Sequence, residues 1–142
     1  MPEVMDVRYT AVATDIIDPD INSREWDNAK TEVLTFQPWK DFYQQINVSF
    51  KLLSGPSGIS ILMHTDEKNL RSEEKKQNGA ICTDSCMEVF LKPSPWDTNY
   101  INLEFNPSGT LHIGIGSGRH NRHLLDTDRS IFSIESVATD GD

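Results

Sequence analysis

The stretches Cys86-Met-Glu-Val-Phe-Leu91, Tyr100-Ile-Asn-Leu-Glu-Phe105 and Thr110-Leu-His-Ile-Gly-Ile115 decide the fold. Each alternates apolar residues with polar or aromatic ones, the period of a strand buried on one face. The first two are joined by Lys92 to Thr98, which carries Pro93, Pro95 and Trp96. Pairing Val89 with Ile101 sets Met87 opposite Leu103, apolar against apolar. The second connection, Asn106-Pro-Ser-Gly109, suits a type I turn closed by a left-handed glycine. A three-residue loop there pairs Phe105 with Leu111 and Leu103 with Ile113. The opposite face then carries Glu88, Phe90, Tyr100, Asn102, Glu104 and His112. A slip of one residue would turn that set inside out.

Working outward, Ile46, Val48, Phe50 and Leu52 share one face of a strand, and Ile59, Ile61 and Met63 one face of the next. A four-residue loop, Ser54 to Ser57, pairs Phe50 with Ile61 and Leu52 with Ile59. Shorter strands are expected over residues 8–13, Glu32–Phe36 and Ser130–Val137. Residues 37–44, with Pro38 and Trp39, read as a connection or a single helical turn. Asp66 to Gly79 has one large apolar residue, Leu70, and reads as a long exposed loop. Gly114 to His123 reads as a flexible basic loop. Many short strands, turn-rich connections and no long helical period predict an all-β chain, an antiparallel β-sandwich or jelly roll. The 142 residues fit one domain, 1–142.

The charge balance narrows the partners. Thirteen Lys and Arg stand against 22 Asp and Glu, a net of −9. Such a surface repels phosphate backbones, so neither nucleic acid nor an anionic membrane is an expected partner. It suits divalent cations and neutral ligands such as sugars, and equally plain solubility. No apolar run approaches the roughly 18 residues of a membrane span. The N-terminal residues show no basic and then apolar leader pattern, so a cytoplasmic protein or a removed leader is expected. Cys82 and Cys86 form no disulfide framework; they could bridge a turn in an oxidising compartment, but two free thiols are the plainer expectation.

Four sets of residues carry candidate chemistry. Glu88 and Glu104 form a carboxylate pair of the kind glycoside hydrolysis needs, or two solvated side chains with Glu104 bonded to His112. His120, Asn121, Arg122 and His123 offer a metal or anion loop, yet further ligands at a suitable spacing are missing. Trp26, Trp39, Trp96, Tyr100 and Phe90 are possible sugar platforms, because aromatic rings stack on pyranose faces. Trp26 fits a core and Trp96 an exposed loop. Asp15, Asp18, Asp20, Asp66 and Asp84 are hard oxygen ligands of the type Ca²⁺ takes, without an EF-hand pattern.

Trp26-Asp-Asn-Ala29 after an acidic turn, Asp66 after a strand, Asp84-Ser-Cys-Met-Glu88-Val-Phe-Leu, the turn at Pro93, and Asn102-Leu-Glu-Phe-Asn106-Pro-Ser-Gly109 together resemble the family 9 carbohydrate-binding modules and their DOMON-like relatives. The likeness runs from about Asp15 to about Arg122. It implies an immunoglobulin-like β-sandwich, structural calcium, for which Asp18 and Asp84 are the candidates, and non-catalytic binding of the ends of glucans and xylans. Sugar-binding members clamp the ring between two tryptophans, with a glutamate, an arginine and amides bonding it. Glu88 matches the glutamate. Cys82 stands in the place of the first tryptophan and Glu104 in that of the arginine. The second tryptophan belongs to C-terminal strands beyond Asp142, so a shortened sandwich or a fragment is expected.

The leading expectation is therefore a carbohydrate-binding module. Glu88 and Asn102 would bond hydroxyls, Trp96 or Tyr100 would stack, and Arg119 would add a donor. Two alternatives stand beside it. One is an interaction module that forms homo-oligomers through an open sheet edge. The other is a small glycosidase using Glu88 and Glu104.

Overall fold

A computed structural model describes residues 12–13, 20–35, 37, 45–56, 58–126 and 132–138. The chain divides into two compact units, Met1–Glu67 and Lys68–Asp142. Each holds a four-stranded sheet, and the described residues carry no helix beyond two short 3-10 turns. The all-β class follows the sequence, and two sheets are what a β-sandwich requires.

In the first unit β1 (Val12–Ala13), β2 (Glu32–Val33) and β4 (Gly58–Thr65) all pair with β3 (Val48–Gly55). The β3–β4 hairpin pairs Phe50 with Met63 and Leu52 with Ile61, and Gly55 meets Gly58. The connection is thus two residues shorter than the sequence predicts, and the register is displaced by two. An even displacement preserves every face, so the apolar pattern cannot detect it. β1 runs parallel to β3. This sheet is therefore mixed and not wholly antiparallel, because β1 reaches β3 through a long connection and not a hairpin turn. Of the strand expected over 8–13, only Val12 and Ala13 are described. Phe36, Trp39 and the rest of the 38–44 connection also lie outside the described residues.

The core of this unit gathers Trp26, Ala29 and Leu53, with Leu62 packed against them. Complete burial of a leucine such as Leu53 contributes roughly 1.5–3 kcal/mol. Trp26 lies in the 3-10 turn Arg24–Asn28, which Ser23 caps by accepting from the Glu25 N–H. Its indole N–H donates to the Asp20 carbonyl at 3.0 Å. The tryptophan is structural, as its place before a strand suggests.

In the second unit β5 (Met87–Leu91), β6 (Tyr100–Phe105), β7 (Leu111–Gly116) and β8 (Arg122–Leu124) form an antiparallel meander. β6 and β7 pair as predicted, Phe105 with Leu111 and Leu103 with Ile113. Gly109 has φ +72° and closes the turn in the left-handed region. Asn106 Oδ1 accepts from the N–H groups of Ser108 and Thr110. β5 and β6 again differ from expectation by two residues: Val89 meets Leu103 and Met87 meets Phe105. Faces are kept, and Glu88 now stands directly opposite Glu104.

Two expectations fail in this unit. Residues 114–123 are not a loose loop, since Gly114–Gly116 belong to β7 and pair with Arg122–Leu124 of β8. A Cβ on Gly116 would lie 2.1 Å from the Asn121 carbonyl oxygen, so glycine here permits close backbone approach. Residues 132–138 form no strand. The β7 positions beside them are already paired. The Asn78 N–H donates to the Leu111 carbonyl, the Ile113 N–H to Asn78 Oδ1, and the Leu125 N–H to the Ile113 carbonyl. Phe132 and Ile134 instead line a cavity of about 150 Å³ with Gly109 and Leu111.

The long loop after Asp66 is fastened in the same way. Asp84 accepts from the N–H groups of Glu73 and Glu74 and from Asn106 Nδ2, at 2.9–3.0 Å. Asn106 Nδ2 also donates to the Glu74 carbonyl. Asn78 adopts φ +58° and donates from Nδ2 to the Leu125 carbonyl.

Candidate functional site

The polar face of the second sheet opens into a cavity of about 400 Å³ lined by Gly79, Ala80, Cys82, Glu88, Phe90, Tyr100, Glu104, His112, Arg119 and Arg122. That volume is in the range of small-molecule sites. Strand alternation supplies one wall. Glu88 and Phe90 come from β5, Tyr100 and Glu104 from β6, and His112 from β7. The Glu88–Glu104 and Glu104–His112 pairs are both directly cross-strand. Phe90 and Tyr100 add an aromatic corner, their ring centroids 5.7 Å apart and tilted by 53°. The β7–β8 turn and β8 bring Arg119 and Arg122. The fastened loop brings Gly79 and Ala80.

Second contacts orient this wall. Arg122 crosses Gly114, where a Cβ would meet the Arg122 side chain at 3.5 Å. Its Nη1 donates to Asn102 Oδ1. His112 Nδ1 lies 3.2 Å from the Gly79 carbonyl. A carbonyl only accepts, so Nδ1 carries the proton and Nε2 is left for another partner.

Burial, then the charge of Glu88, push the Glu104 carboxyl above its ordinary range, against the opposing pull of His112, Arg122 and Arg119. The Cys86 thiol, which donates to Glu88 Oε1 at 3.9 Å, is pushed up to about 12 by burial and then by the charges of Glu88 and Glu104. Both cysteines are free thiols.

Of the residues expected to bind sugar, Glu88, Tyr100 and Arg119 come together in the cavity. Asn102 shares their face but is fully buried beneath Arg122, its Nδ2 without a partner among the described residues. It is thus a support for the arginine and not a surface amide. Trp96 does not line the cavity; it is 91% exposed in the β5–β6 connection. Arg122, read from sequence as part of a metal or anion loop, joins them in the lining. Glu104, His112 and Phe90 stand in the alternation, and the period of two is the signal for them.

Asp18 lies outside the described residues. At Asp84 the donor set does not fit calcium, since both carboxylate oxygens already accept from N–H groups. Among the described residues no three His, Cys, Asp or Glu side chains group to hold an ion. His120 and His123 are exposed and lie outside the cavity lining.

Residues 20–139 match the family described as carbohydrate-binding family 9. The match covers most of the chain, which belongs to that family of carbohydrate-binding modules. In structure it is similar to the "putative carbohydrate-binding protein" of Bacteroides uniformis, with a TM-score of 0.70 and 22% identity, over 82% of this chain and 55% of that one. The likeness is one of fold, and the chain spans about half the length of that protein. No curated protein matches it.

Proposed function

We propose that the second unit binds a carbohydrate in the cavity above β5–β8. The supporting observation is the composition of that cavity in a chain of carbohydrate-binding family 9. Two adjacent aromatic rings, Phe90 and Tyr100, lie beside two carboxyls, a histidine of fixed tautomer and two arginines. Rings take the C–H faces of a pyranose, and the charged groups take its hydroxyls, each of which both donates and accepts. Glu88 is the acceptor at the rim. Arg119 and Arg122 are donors from the opposite wall. Asn102 acts through Arg122.

The reading is tested by calorimetric titration of soluble gluco- and xylo-oligosaccharides. Heat that saturates, and that is lost in Tyr100→Ala and in Arg119→Ala, is expected. No heat with any of these sugars at millimolar concentration overturns it.

A further inference from the structure

Glu104 is a buried cavity residue to which the described part of the fold gives no hydrogen-bond or ion-pair partner. It is 7% exposed and lines the cavity, yet it makes no hydrogen bond or ion pair with a described residue. The buried carboxylate of Asp84 differs, accepting three hydrogen bonds. A buried carboxyl without donors is costly as an anion. Its neighbours do not relieve the cost by contact. Glu88 faces it from β5 with the same charge, and the Cys86 thiol before β5 bonds to Glu88. His112 on β7 turns Nδ1 to Gly79. Arg122 on β8 gives Nη1 to Asn102. Arg119, in the β7–β8 turn, and the Cys82 thiol line the cavity without a bond to Glu104.

We propose that Glu104 is a ligand-contacting residue that binds as the neutral carboxylic acid, donating a hydrogen bond to a ligand oxygen while Glu88 opposite accepts one from a ligand hydroxyl. A donor and an acceptor on directly opposed residues suit two adjacent oxygens of a sugar ring. The proposal rests on the sugar reading above and goes beyond it by fixing a proton in the complex. Burial and the charge of Glu88 both favour that proton. Binding then takes up a proton wherever free Glu104 is ionised.

The test is calorimetric titration of cellobiose and of xylobiose from about pH 5 to about pH 8, in buffers of different ionisation heat. One linked proton weakens binding up to about tenfold per pH unit once Glu104 ionises in the free protein. Proton uptake should appear as a buffer-dependent heat. Glu104→Gln, which keeps a donor but cannot ionise, should remove both the slope and the uptake. The Glu104 side-chain carboxyl ¹³C resonance, followed by NMR in the ligand-free wild type, should titrate above the ordinary glutamate range. Binding without pH dependence, or Glu104 titrating at or below the ordinary glutamate value, overturns the proposal and leaves the sugar reading standing. No binding of either sugar at any pH overturns both.

Discussion

Arg122 reaches across Gly114 to donate to Asn102, two strands away in the sheet. The contact ties the last strand of the meander to the floor of the cavity. Among the described residues, Arg122→Ala removes the side-chain partner of a buried amide whose other end is already unpaired. It should cost about 1–3 kcal/mol in urea unfolding and weaken any sugar titration. An unchanged urea midpoint would show that Asn102 does not depend on the arginine.

Gly116→Ala tests the same strand from the backbone. The new methyl would meet the Asn121 carbonyl at 2.1 Å and the Arg122 Cα at 2.8 Å, and neither is the mobile end of a side chain. Forcing β7 and β8 apart should cost about 1–3 kcal/mol. The loss should be accompanied by reduced hydrogen-exchange protection of Arg122 to Leu124. Full protection with normal stability would argue against close pairing.

Asp84 should govern acid sensitivity. Burial acts to raise its pKa, but the hydrogen bonds from Asn106, Glu73 and Glu74 and the charge of Arg71 outweigh burial and hold it below the ordinary value. A lowered folded pKa means that its stabilisation is present above the unfolded pKa, about pH 3.9, and is lost as pH falls through the folded value. Urea midpoints should therefore decline below about pH 4, and Asp84→Asn should flatten that decline while lowering the midpoint at neutral pH. A variant with the wild-type acid profile would assign the decline elsewhere.

The two thiols should react differently. Cys82 is exposed, whereas burial and the charges of Glu88 and Glu104 push the Cys86 thiol up to about 12. Thiolate is the reactive form. Iodoacetamide at about pH 8 should label Cys82 and spare Cys86, as read by peptide mass spectrometry. Because Cys82 lines the cavity, a bound sugar should slow its labelling. Equal rates at both sites would contradict the environment of Cys86.

Trp96→Ala should change stability by no more than about 0.5 kcal/mol, because the side chain is 91% exposed. A larger loss would mean that the ring is covered in solution.

The legibility of this chain has a physical pattern. Alternation along β5, β6 and β7 shows which side chains share a face, because a period of two is written directly in the residue types. It placed Glu88, Tyr100, Glu104 and His112 together. It did not distinguish registers two residues apart, which is why Glu88 appears offset from Glu104 in the sequence and opposed to it in the fold. Glycine misled in the other direction. Gly114 and Gly116 suggest looseness, but each makes room for a closely packed neighbour from β8. The depth of Asn102 was illegible for a third reason: depth on a face is set by what crosses over it, and local sequence does not carry that.

Asn78 has a further consequence. Its backbone and side chain occupy the Leu111 carbonyl and the Ile113 N–H, and Leu125 takes the Ile113 carbonyl. One residue from a charged loop thus behaves as a one-residue strand. With β8 pairing Gly114–Gly116, the Leu111–Ile113 stretch of β7 is closed to strand addition, so the loop guards that stretch against edge-to-edge pairing.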